Sequence, residues 1–247
     1  MPTITARYRH SRLTAEPERL GLEQIWAVAR QVRDQLCDSG LERRLCLERI
    51  EEQACDFEIN DIAFEVSWDL EHRVATREGR RVMGVTEYDP GSPDCVFVSV
   101  SGGDDDMTDT LLRSTIAHEL GHVVFDAPGW MVVPPSQADR SAFATVPGGH
   151  DPREVRANEF MGGLLVPPSM LRIDWQRLAR RRRFVASATG SRVFRGAPAY
   201  EGADQDADCL SEALYELAER YGVSPSFIGV RLARYDLLRS NRAVAVV

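Results

Sequence analysis

Residues 115–124 read Thr-Ile-Ala-His-Glu-Leu-Gly-His-Val-Val. His118 and His122 are four apart, so on a helix advancing about 100° per residue their side chains lie within roughly 40° of each other. One metal ion can meet both. Glu119 points roughly 100° away from His118, beside that meeting point rather than on it, where a base for an activated water belongs. The flanking Ile116, Ala117, Leu120, Val123, Val124 and Phe125 are apolar and imply burial, where two unpaired imidazoles would be costly. Gly121 costs about 1 kcal/mol relative to Ala in a helix interior, so its presence predicts the close approach of another element on that turn.

A catalytic zinc needs a third protein ligand and an open position. Downstream, His150, Glu154 and Glu159 could supply it. Asp151-Pro152 starts a helix, since Asp caps free amides and Pro at the first position loses no hydrogen bond. On that helix Glu154 and Asn158 share a face, continued by Met161 and Leu165, whereas Glu159 lies roughly 140° from Glu154. This selects Glu154 as the ligand and Asn158 as the residue that accepts a hydrogen bond from a ligand imidazole. His150 stays open as the alternative ligand, and a capping role stays open for Glu154, three residues after Asp151.

Upstream, Leu22, Ile25, Trp26, Ala29 and Val32 form one apolar face of a helix over 20–36, and a second helical stretch is expected from about Leu41 to Ala54. Ile62, Phe64, Val66 and Trp68 alternate with the two-residue period of a strand. Two more strands, 81–88 and 96–101, flank the turn residues Asp89-Pro90-Gly91-Ser92-Pro93, and a meander of all three is expected. Thr108 or Asp109 caps the helix that carries the histidines. Residues 127–150 read as a long lid-like loop and 185–208, rich in Gly, Ala and Asp, as a flexible insert. Two closing helices, about 210–221 and 225–237, form a hairpin around Gly222-Val223-Ser224. The organisation is thus a polar tail over 1–18 and a single domain over 19–240.

Composition narrows the classes. The 247-residue chain is 43% hydrophobic and 28% charged, as in ordinary globular proteins, and no apolar run is long enough to span a bilayer. Its polar start lacks the pattern of a secretory signal, which gives a cytoplasmic expectation. Five scattered cysteines without a CxxC spacing argue against a disulfide framework. A net charge of −8 disfavours binding to phosphate backbones. All 30 basic residues are Arg.

These motifs together resemble the ImmA/IrrE family of zinc metallopeptidases. The resemblance rests on Ala117-His-Glu-Leu-Gly-His122, Glu154-Val-Arg-Ala-Asn-Glu-Phe160, Leu164-Leu-Val-Pro167, Leu217-Ala-Glu-Arg-Tyr-Gly-Val-Ser224 and Arg231-Leu232. Phe160-Met161 and Leu-Leu-Val-Pro depart conservatively from the usual Phe-Ala and Leu-Leu-Met-Pro. The resemblance implies an α+β fold with a small antiparallel sheet packed with helices and a zincin-like HExxH active-site helix. It implies Zn2+ on His118, His122 and Glu154, with Glu119 as the catalytic base. It also implies a protein substrate, a helix-turn-helix repressor of the XRE type, with no direct nucleic-acid binding and no membrane partner. The oxyanion donor is left unassigned among His150, Tyr200 and an Arg of the lid. Two rival readings are a DNA-binding regulator, from the hairpin over 217–232 and the basic Arg180 to Arg183, and a catalytically silent metal-binding protein.

Overall fold

Alternating apolar side chains build the sheet, and helices cover its inner face. The computed structural model describes residues 2–37, 39, 42–47, 50–75, 81–102, 107–134, 151–202 and 207–239. Five strands, β1 (Ile4–Ala6), β2 (Asp56–Ile59), β3 (Ile62–Asp69), β6 (Gly84–Tyr88) and β7 (Cys95–Val100), pair in the order β1-β2-β3-β7-β6. A two-stranded ribbon of β4 (Val74–Ala75) and β5 (Arg81–Val82) lies between β3 and β6 in the chain. Phe57, Ile59, Phe64, Val66, Val96, Val98 and Val100 point inward at alternate positions and are buried, while Glu58, Glu65 and Glu87 face outward and are exposed.

The α+β class holds, but the sheet is mixed rather than antiparallel. β1 runs parallel to β2 and β3 parallel to β7. Only β6 and β7 form the expected hairpin, through a turn in which the Ser92 amide donates to Asp89 and the Cys95 amide to Ser92. β3 then joins the far side of β7, so the three strands are no simple meander. The segment read as a polar tail contains β1, with Ile4 and Ala6 buried, and Tyr8, whose hydroxyl donates to the Val124 carbonyl at 2.9 Å.

Helix α1 (Leu22–Leu36) buries the predicted face, but the helix expected over 41–54 is confined, among the described residues, to α2 (Ile50–Gln53). Leu45 and Leu47 are fully buried two residues apart, a spacing that suits extended chain and not a helix. Thr108 caps α3 (Asp109–Phe125), its hydroxyl accepting from the Leu111 amide. The first part of the expected lid is helical instead: α4 (Ala127–Val132) buries Ala127, Pro128, Gly129 and Trp130. The rest of that loop, 135–150, including His150, lies outside the described residues. α5 (Pro152–Leu165) starts as predicted, with the Asp151 carboxylate accepting from the Arg153 amide.

The chain divides into two compact units, Met1–Leu164 and Leu165–Val247, a division that falls inside the span 19–240. The second unit holds α6 (Pro168–Arg181), β8 (Tyr200–Glu201), α7 (Ala207–Tyr221), α8 (Pro225–Arg234) and β9 (Leu238–Arg239). Trp175 is fully buried and donates to the Leu237 carbonyl, and Tyr221 donates to Asp174 at 2.9 Å. The α7–α8 hairpin turns its apolar face, Leu217, Ala218, Tyr221, Ile228 and Leu232, inward. Residues 185–202 of the expected flexible insert are tied down: the Arg239 guanidinium donates to Ser187 and to the Gly190 carbonyl, and the Arg192 amide donates to Asp236. Residues 203–206 of that insert lie outside the described residues. No described helix is long and apolar enough to cross a membrane, and all five cysteines are free.

Candidate metal centre

The site is assembled from two helices of the first unit. Gly121 on α3 lets them meet: a Cβ there would stand 2.9 Å from the Ala157 Cα on α5. This is the close approach that a glycine inside the helix predicts. Phe125 and Phe160 extend the contact edge to face, with ring centroids 5.7 Å apart.

Above that contact three donors converge. The Nε2 atoms of His118 and His122 are 3.2 Å apart, and each is 3.4 Å from an oxygen of Glu154. For ligand bonds of about 2.0–2.2 Å, the edges of a tetrahedron are roughly 3.3–3.6 Å, so the spacing fits one tetrahedral ion. The side chains of His118 and Glu154 keep 20% and 31% of their surface, which leaves a side open to solvent. Burial drags the basicity of His122 down, but hydrogen bonds to Asp126 and Glu154 outweigh it and hold the pKa up at about 10. Hydrogen bonds to the two histidines hold the Glu154 carboxyl well below the usual range.

Against this geometry, the family model of the IrrE N-terminal-like domain, Peptidase_M78, matches residues 104–233. The chain belongs to this family. No curated protein matches the chain. The matched span runs from the loop before α3 through α8, and the M78 domain is zincin-like and carries a metallopeptidase-like function.

Within this M78 site, Glu119 is 95% buried, and burial pushes its carboxyl pKa above the ordinary value. The Thr86 hydroxyl on β6 donates to its Oε2 at 2.7 Å. A Cβ at Gly84, two residues earlier on the same strand, would fall 2.7 Å from Oε1, so the carboxylate lies against bare backbone.

Asn158 does not hold an imidazole. It is exposed, and the hydrogen bond expected of it is made by Asp126, whose Oδ2 is 2.7 Å from His122 Nδ1. The buried side of α5 runs from Glu154 through Ala157, Phe160 and Leu164, turning Asn158 outward. Asp126 in turn accepts from Arg156 at 2.9 Å, so an ion pair ties the end of α3 to α5 two residues beyond Glu154. Glu159 is buried away from the cluster and accepts from Trp26 Nε1 at 3.1 Å. Tyr200 is buried in the second unit, on β8.

Asp126, Arg156, Thr86 and Gly84 were missed by the sequence reading. Asp126 carries a signal, standing four residues after His122 on the same helical face. So does Thr86, a polar residue on the inward parity of its strand between Gly84 and Tyr88. For Arg156 we find no comparable signal.

Proposed function

We propose that this chain is a zinc-dependent endopeptidase that cuts a cytoplasmic regulatory protein, a helix-turn-helix repressor of the XRE type, at a specific site. The observation that carries the reading is the convergence of His118, His122 and Glu154 at tetrahedral spacing next to the buried Glu119. Bound by those three residues, zinc would supply Lewis-acid polarisation of the scissile carbonyl and acidify a water.

The rest is done by the chain's own groups. Glu119 takes a proton from the attacking water and passes it to the leaving amine. Its burial makes it a stronger base than a solvated carboxylate. Asp126 accepts from Nδ1 of His122 and so keeps Nε2 directed at the cluster, while Arg156 neutralises the buried Asp126 charge. A repressor is basic where it meets DNA, and the net charge of −8 favours its encounter with this chain, more weakly as salt rises.

The DNA-binding reading finds less support. Arg181 and Arg182, in the basic run at the end of α6, are spent on Glu216 and Glu212 of α7 at 2.5 and 2.7 Å. Incubating the zinc-loaded chain with purified helix-turn-helix repressors of the XRE type tests the proposal. Two discrete fragments, lost on adding chelator, are the expected result. Intact repressor together with tight, sequence-specific duplex binding by the chain would overturn it in favour of a regulator.

A further inference from the structure

A glutamate side chain turns about three bonds, so burial alone does not decide which carboxylate oxygen faces a reacting water. Here two residues of β6 hold the carboxylate. Thr86 is 6% exposed and its Oγ1 lies 2.7 Å from Glu119 Oε2, with the Glu119 carbonyl a longer alternative at 3.4 Å. An ionised carboxylate only accepts, so the hydroxyl donates. Gly84 leaves the space that Glu119 fills: a Cβ there would meet Oε1 at 2.7 Å, Cγ at 2.9 Å and the Thr115 methyl at 2.8 Å. The carboxylate is thus held at Oε2 and packed against Gly84 of the strand.

We propose that Thr86 is a positioning residue for the hydrolysis: by holding Oε2 it assigns Oε1 of Glu119 as the oxygen that accepts the proton. This rests on the endopeptidase reading. The water's proton moves to Oε1 and from there to the leaving amine, while Thr86 keeps its own proton on Oγ1 throughout. Nothing about metal binding depends on Thr86, because its partner is the base and not a ligand. The role is therefore separable from that of Asp126, which touches His122.

Thr86→Val keeps the shape of the side chain and deletes the donor, and Thr86→Ser restores the donor. With a helix-turn-helix repressor that the zinc-loaded wild type cuts as substrate, Thr86→Val lowers kcat by about tenfold to a hundredfold, the scale of a misplaced catalytic group, with KM and zinc per chain unchanged. Thr86→Ser recovers most of that loss. Thr86→Val at wild-type kcat, loss of zinc in Thr86→Val, or a loss that Thr86→Ser does not repair would overturn the proposal. A second readout needs no activity. The unfolding midpoints of the metal-free wild type, Thr86→Val, Glu119→Ala and the double variant are expected to be non-additive, and additive effects would refute the contact. A wild type that cuts nothing when loaded with zinc would sink the endopeptidase reading and this reaction role with it, whereas the midpoint cycle would still decide whether Thr86 holds Glu119.

Discussion

The five-stranded sheet ends in two ways. At one edge, Gln31 and Gln35, one turn apart on α1, read the backbone of β1 as a neighbouring strand would: their side-chain oxygens accept from the Arg7 and Thr5 amides, and their nitrogens donate to the same residues' carbonyls. At the other edge, β6 turns Thr86 and Gly84 inward to Glu119. The first arrangement satisfies an edge that would otherwise offer itself to another chain. The second gives up side-chain bulk at Gly84 so that a buried carboxylate can lie in one orientation. At β1 the partners are two glutamine amides, whereas at β6 the partner is the carboxylate proposed as the base.

That contrast breaks first, and by the largest margin, at Glu119. Glu119→Gln should retain zinc and lose cleavage by about a hundredfold to ten-thousandfold, since the amide cannot take up a proton. Loss of zinc in this variant, measured by metal analysis, would make β6 an edge that serves the metal and not the base. Next comes a residue off both edges. Asp126→Ala should weaken zinc binding by about tenfold to a hundredfold, as read by chelator competition, because His122 loses the acceptor that fixes its ring. Unchanged affinity would put Asp126 with the merely satisfied groups.

Smaller effects belong to positions that only hold the fold. Glu159→Ala leaves the buried Trp26 Nε1 without the acceptor it now uses, so about 1–3 kcal/mol of unfolding free energy should be lost in denaturant titrations with zinc content unchanged. Gln35→Ala at the β1 edge should cost only about 0.5–1.5 kcal/mol, being exposed, and leave cleavage at the wild-type rate. A fall in cleavage there, with stability intact, would erase the distinction between the edges.

What could be read from the sequence follows the range of the interactions involved. The α3 helix, its Thr108 cap, the Asp151-Pro152 start of α5 and the Gly121 contact all depend on residues within a few positions or on one missing Cβ, and all are found. The pairing of His118 with His122 follows from helical angles, and Glu154, the ligand chosen on α5, meets them. Asn158 failed because a shared helical face does not say which side of that face is covered; the contact with α3 falls on Ala157 and turns Asn158 outward. The pairing of β3 with β7 was hidden for a similar reason: alternation marks a strand but not its neighbour. β1 is three residues long, too short for a period to register in a polar segment, and its place is set by α1 and β2. Residues 185–202 have few large apolar side chains, yet Arg239 and Asp236, some 40 or more positions away, hold them.

The central claim is that His118, His122 and Glu154 hold one zinc ion while Glu119 stands beside it as the base. Zinc per chain, determined by elemental analysis on wild type, Glu119→Gln, Glu154→Ala and Glu159→Ala purified without chelator, tests it most directly. The account predicts one zinc in wild type, Glu119→Gln and Glu159→Ala, with a clear deficit in Glu154→Ala alone. No zinc in the wild type even after its addition, or equal occupancy in Glu154→Ala and Glu159→Ala, would contradict it.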